Sequence, residues 1–190
     1  MLWVFLVLMA MLLWACTNII DKILRTNYLK DSVALTAGFG IYGSLFSFIL
    51  ILIFGFPFVP FLIFIAAFTA GILAILVVVL YVRSLSVEEV SRVIPLWNFS
   101  ALFTLVLAVL FLNEILSPIK YIAFALIFLG GVFITTRRIG IMFRISSAAF
   151  YMLLSSFFVS VYEVILKHSY SVQSFLPIFI IFYSASSIGS

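Results

Sequence analysis

Charge is scarce in this sequence. Aspartate, glutamate, lysine and arginine together make up 8% of 190 residues, where a soluble domain carries about 25%. So few charges cannot cover a water-facing surface of this size, and a soluble domain with a very large core is set aside. There is one cysteine, Cys16, and one histidine, His168. That excludes an intramolecular disulfide and leaves no basis for a Cys/His metal cage. Six acidic residues are present, with Glu88-Glu89 the one adjacent pair. A membrane-embedded enzyme needs clustered acids, histidines or metal ligands, so a catalytic role and a cofactor are not expected.

Apolar residues are abundant instead, at 67% of the chain, with 23 phenylalanines and a mean hydropathy of +1.43. The bilayer is the solvent that suits such side chains. The phenylalanines read as lipid-facing or packing residues, not a ligand cage. The net charge of +4 does not point to nucleic acid, because the basic residues sit in short gaps between apolar runs, where they set membrane orientation.

A spanning helix needs about 20 mostly apolar residues, and about seven are expected. The first runs from Leu2 to Arg25. Leu13-Trp14-Ala15-Cys16 loosely matches a lipoprotein cleavage box, but Trp14 is too bulky and no basic stretch precedes the run, so the segment is expected to be retained. No charge occurs between Asp31 and Arg83. The break Gly55-Phe56-Pro57-Phe58-Val59-Pro60 divides that stretch into helices at 32–54 and 61–83. Ser86 followed by Glu89 forms a capping box and predicts a helix from Val87 to Leu112 with Pro95 inside it. Ser117-Pro118 opens a fifth helix ending near Thr136. Arg137, Arg138 and Arg144 mark a basic loop. A sixth helix is expected over 145–168, and a seventh from Phe175 still running at Ser190.

Small residues recur four apart: Gly40 and Ser44, Gly43 and Ser47, Ala67 and Gly71, Ala70 and Ala74. In lipid such pairs let helix backbones approach closely, as static packing first and as a sliding or rocking interface in the alternative. A longer-range pattern also appears. Shifting the sequence by 142 positions places Asp21 on Glu163, Arg25 on Lys167, Tyr28 on Tyr170, Ser32 on Ser174 and Ser44 on Ser186. The offset spans five helices, and an odd-numbered unit inserts its second copy upside down. Inverted repeats of this kind are typical of secondary transporters, with the solute site near the midplane between the halves. The division expected is 1–136 as one five-helix unit, 137–144 as a basic linker, and 145–190 as the first two helices of a second copy. A closed transport pathway is then not expected from this chain alone. The small-residue face around Ser184–Ser187 should be exposed, or covered by a second copy or a C-terminal half.

Three tracts resemble EamA-type transporters of the drug/metabolite transporter superfamily. Leu85-Ser86-Val87-Glu88-Glu89-Val90-Ser91-Arg92-Val93-Ile94-Pro95-Leu96 resembles the start of that family's fourth helix. Val109-Leu110-Phe111-Leu112-Asn113-Glu114 is similar to its phenylalanine-leucine-glycine-glutamate ending, with Asn113 in place of glycine. Leu126-Ile127-Phe128-Leu129-Gly130-Gly131-Val132 resembles its glycine-containing fifth helix. The resemblance covers Leu2–Thr136 as one repeat and implies an all-α, polytopic, ten-helix carrier of a small metabolite, amino acid or drug-like solute. It makes Pro95 and Glu114 signature residues.

Ionisable groups within membrane helices are functional candidates, because their insertion costs about 2.5–3.5 kcal/mol each. Asp21 with Arg25, and Glu163 with Lys167, have i,i+4 spacing with the acid first; interfacial helix ends that snorkel to water would explain them equally. Pro95 frees a carbonyl that can face a cavity, and Asn98 can meet a solute. Glu89 is accounted for by the capping box, and Glu114 by a helix-end pairing with Lys120. The leading expectation is a solute carrier in the bilayer, with a non-transporting or pairing subunit as the alternative. A multi-pass plasma-membrane location is expected. Lys22, Arg25, Lys30, Arg83, Arg92, Arg137, Arg138 and Arg144 fall on one side of the membrane, Lys120 and Lys167 on the other. Positive-inside bias then places the N-terminus outside, whereas the resemblance implies inside.

Overall fold

The computed structural model describes residues 2–29, 31–112, 117–135 and 146–189. Among them every regular element is helical. Helix α1 (Leu2–Ile23) runs into a π-helical turn (Leu24–Tyr28), closed by Leu29 N–H donating to Leu24 O at 2.7 Å. Asp31 caps α2 (Ser32–Phe54) by accepting from Val33 N at 3.0 Å. Gly55, at φ +83°, stops α2 in a backbone conformation that side chains with a Cβ rarely adopt. Pro60 then opens α3 (Phe61–Val87). The fourth span comprises α4 (Val90–Val93), a 3-10 segment (Ile94–Asn98) and α5 (Phe99–Leu112). After it come α6 (Pro118–Thr135), α7 (Ser147–Val172) and α8 (Phe175–Ile188).

Among the described residues, five spans are long and apolar enough to cross a bilayer: Trp3–Tyr28, Val33–Phe54, Phe61–Val87, Val90–Leu112 and Ser147–Val172. The protein is an integral membrane protein built as a polytopic helix bundle. Two further apolar helices stand beside these five, at the places where the fifth and seventh spans were expected. The apolar part of α6, Pro118–Gly130, and α8, with 14 residues, are shorter. At 1.5 Å per residue α8 reaches about 21 Å, against a hydrocarbon core of about 30 Å.

The capping box does not form. Ser86 lies inside α3 and donates to Arg83 O at 2.6 Å. Glu89 occupies the N-cap position of α4 without a side-chain bond. Local serine-to-carbonyl bonding let α3 run four residues past the expected stop. Pro95 does more than kink a continuous helix. It sits at the start of the 3-10 segment, where its missing N–H costs no hydrogen bond.

Helix α3 is the centre of the bundle. It packs against α7 and α8, while α7 also packs on α5 and α8 on α2. Along α7, Ser155 bonds Val77 O and Met152 accepts from Ser84, so residue numbers rise in α7 as they fall in α3. Along α1, Asn18 meets Tyr81 and Lys22 meets Leu85, so numbers rise together. Helices α1 and α7 therefore run in opposite directions.

The contact of α8 with α2 and α3 rests on small residues. A Cβ added at Gly71 would overlap Phe182 O and lie 2.6 Å from Ala185 Cβ; one at Gly43 would lie 3.6 Å from Ser187 Cβ. Ala67 and Ala70 are fully buried on the same seam. This overturns the expectation for the Ser184–Ser187 face. Helices α2 and α3 of the same chain cover it, and Ala185 is fully buried.

Candidate solute site

Asp21 and Arg25 stand one turn apart, yet each bonds elsewhere. Asp21 Oδ2 accepts from the Tyr81 hydroxyl at 3.2 Å, and Arg25 Nη1 donates to Leu29 O at 3.1 Å. Asn18 Oδ1 lies 3.0 Å from the same hydroxyl. A phenol has one proton for these two acceptors. Turning the Asn18 amide end for end resolves this: its NH2 donates to the Tyr81 oxygen, and Tyr81 donates to Asp21. Asn18 and Tyr81 are both buried, so the relay satisfies groups whose isolation there would be costly. One turn on, Lys22 Nζ donates to Leu85 O at 2.6 Å and Glu88 O at 2.9 Å. It thereby covers carbonyls at the C-terminal end of α3.

Tyr81 also carries this network to an aromatic floor. Its ring centroid is 5.2 Å from that of Trp97, and Trp14 meets Trp97 edge-on at 5.5 Å. Trp97 belongs to the 3-10 segment, which Ser156 ties to α7 by donating to Leu96 O at 3.0 Å. Above Trp97 lies a cavity of about 500 Å³ between α2, α3, α7 and α8. Tyr42, Tyr162, Tyr183 and Ser186 supply its polar groups. Phe39, Phe46 and Phe182 complete an aromatic wall, so three of the phenylalanines expected only to pack or face lipid line a cavity. Its volume falls within the range of small-molecule sites, which combine apolar walls with a few polar groups.

The second expected pair lies elsewhere. Glu163 Oε2 accepts from Thr104 Oγ1 at 3.1 Å. Glu163 and Lys167 line a cleft of about 390 Å³ with Ser100, Thr104 and Phe124. Tyr162 and Glu163 are neighbours in sequence, but a step of about 100° around the helix sends one to the aromatic cavity and the other to this cleft. Asn98 is exposed and does not line the aromatic cavity; its neighbour Trp97 does. Pro95 contributes by forming the 3-10 segment that places Trp97. Glu88, beside the expected cap, pairs with Arg92 at 3.4 Å. A wider apolar cleft of about 610 Å³, between α5 and α7, carries His168 as its one ionisable lining group.

The model of the EamA-like transporter family matches residues 1–136, more than half of the chain. The chain belongs to the EamA-like transporter family. No curated protein and no solved structure matches it. Within this EamA-like chain the match takes in α1 to α6, and hence Asp21, Tyr81, Pro95 and Trp97. Asn113 and Glu114, with the expected pairing of Glu114 to Lys120, lie outside the described residues, as does the basic stretch 137–144.

Sequence reasoning missed Asn18, Tyr81 and Trp97 as parts of one network. A signal was present in Asn18. It is an uncharged polar residue in an apolar helix, one turn before Asp21 and Lys22, and polar groups at such positions need partners across helices. Among the described residues no group of three His, Cys, Asp or Glu side chains is placed to hold a metal ion.

Proposed function

We propose that this protein is a secondary transporter that moves a small organic solute across the plasma membrane by alternating access, with the aromatic cavity as its solute site. One observation carries the reading. The cavity is walled by α2 and α3 from one side of the 142-residue offset, and by α7 and α8 from the other. Carriers built on inverted repeats hold their solute at that kind of seam, and rocking of one unit against the other exposes it alternately. The opposite directions of α1 and α7 support the inverted relation. Asp21, through Tyr81 and Trp97, bears on one wall of the cavity; Arg25 bonds Leu29 O instead, and Glu163 and Lys167 belong to a neighbouring cleft. The partners in this reading are the bilayer and the solute; it calls for no catalytic step, cofactor or nucleic acid.

Purified protein in lipid vesicles tests the proposal. A closed pathway was not expected from the repeat count, but the cavity takes walls from both sides of the offset within this chain; saturable solute uptake is therefore expected, reduced at least about tenfold by Trp97→Ala, since a displaced wall loses binding across the whole site. Uptake unchanged by Trp97→Ala would remove the cavity from the pathway. The same preparation in mild detergent reports whether a second copy takes part. For orientation, the positive-inside count places the N-terminus outside. In a Cys16→Ser background, a cysteine at Pro57 should react with an impermeant label in intact cells and one at Asp31 should not; the reverse pattern would overturn the count.

A further inference from the structure

We infer that the solute is an uncharged aromatic compound carrying one or two hydrogen-bonding groups and no acidic or ammonium group. The inference rests on the cavity being the solute site and narrows what the site accepts. Among the described residues, no charged side chain lines it. Charged groups on the helices around it are engaged elsewhere: Asp21 accepts from Tyr81, Lys22 donates to the carbonyls ending α3, and Glu163 accepts from Thr104 in a separate cleft. A carboxylate or phosphate entering the cavity would lose its hydration without a cation to meet it, and an ammonium would lose its own without a carboxylate.

What the cavity does offer is ring surface and unspent hydroxyls. Phe46 and Tyr183 meet edge-on at 5.5 Å, and Tyr162 lies 5.7 Å from Phe182. A planar ring entering among them extends an arrangement that aromatic pairs favour. Ser186 is occupied, donating to Tyr183 O at 2.9 Å. The hydroxyls of Tyr42, Tyr162 and Tyr183 make no hydrogen bond to any described residue. Phenol O–H groups both donate and accept, so they suit a solute with a hydroxyl, carbonyl or ring N–H. A site built of such groups discriminates strongly against solutes that leave them unpaired.

Equilibrium dialysis with the full chain in lipid nanodiscs tests this, using radiolabelled indole as the probe. Indole-3-acetate, tryptamine and tryptophan serve as its anionic, cationic and zwitterionic relatives. Saturable indole binding is expected, with each charged relative at least about tenfold weaker. Tyr183→Phe keeps the ring and removes only a hydroxyl without a partner, so it should leave the fold intact and weaken indole by roughly threefold or more. If a charged relative binds as tightly as indole and Trp97→Ala abolishes it, the cavity remains the solute site and the inferred class is wrong. If none of the four binds saturably, or if binding ignores both substitutions, the cavity reading falls together with the class.

Discussion

Helices α1 and α7 are the two that the 142-residue offset equates, and they are held in contrasting ways. In the most apolar stretch of α7, 44% of the residues are buried; in that of α1, 6% are. Both are apolar, so hydrophobicity does not explain the difference. In lipid, apolar surface gains little by leaving acyl chains for another helix; small residues and interhelical hydrogen bonds decide association. Helix α7 has both. Ala148 and Ala149 are buried at its start, and the fully buried Ser155, Ser156 and Ser160 donate to Val77 O, Leu96 O and Ser100 O. Between Leu2 and Trp14, α1 has Ala10 alone as a small residue. It is joined to the bundle through its second half, by Trp14 against Trp97 and by the hydrogen bonds of Asn18, Asp21 and Lys22. One helix is embedded along its length and the other is pinned at one end.

The largest effect should come from overfilling the packed region. Gly71→Leu forces a side chain into Phe182 O and Ala185 Cβ, and should cost about 3 kcal/mol or more, beyond the usual range for overpacking. Gly38→Ala meets no atom within 4 Å and should hold or slightly raise stability through helix propensity. Thermal unfolding in mild detergent compares the two. Equal midpoints would mean that α8 does not sit on α3 as described.

The pinned end of α1 should respond next. Tyr81→Phe leaves Asn18 buried without its partner, a loss of about 1–3 kcal/mol. The change should appear as faster amide hydrogen exchange in α1, with α7 unaffected. Adding Asn18→Leu should recover part of the loss, because removing both polar partners is cheaper than removing one. Exchange that quickens equally in both helices would erase the contrast between them.

Helix boundaries were legible where backbone chemistry decides them. Gly55 and Pro60 separate α2 from α3, and Pro118 and Phe175 open α6 and α8 where expected. The boundary after α3 was not legible, because Ser86 can cap a following helix or bond back within its own, and it bonds back to Arg83 O. The cover over Ser184–Ser187 was hidden for a related reason: the small residues of α2 and α3 were visible, but not that α8 would lie across them. Of the site, Asp21 and Pro95 stood out as a charge and a helix breaker. The cavity did not, since it draws on four helices and the 3-10 segment far apart in sequence, and tyrosine and phenylalanine are too frequent here for any one to be conspicuous.

The smallest effect should come from the serines of α7 taken singly. Ser156 donates to Leu96 O at 3.0 Å, but its hydroxyl also reaches Met152 O in its own helix at 2.9 Å. The interhelical share is thus one arm of a divided bond. Ser156→Ala should cost about 0.6 kcal/mol, the average for such bonds between membrane helices, and at most about 1.7. Ser160 is built the same way, bonding Ser100 O and Ser156 O, so Ser160→Ala should match it. Ser171, exposed near the end of α7 and bonded only to His168 O among the described residues, should cost nothing measurable when changed to Ala. If Ser156→Ala instead proved as damaging as Tyr81→Phe, hydroxyl bonding would be the main hold on α7, and close packing of small side chains would lose its place as the reason α7 is embedded and α1 is not.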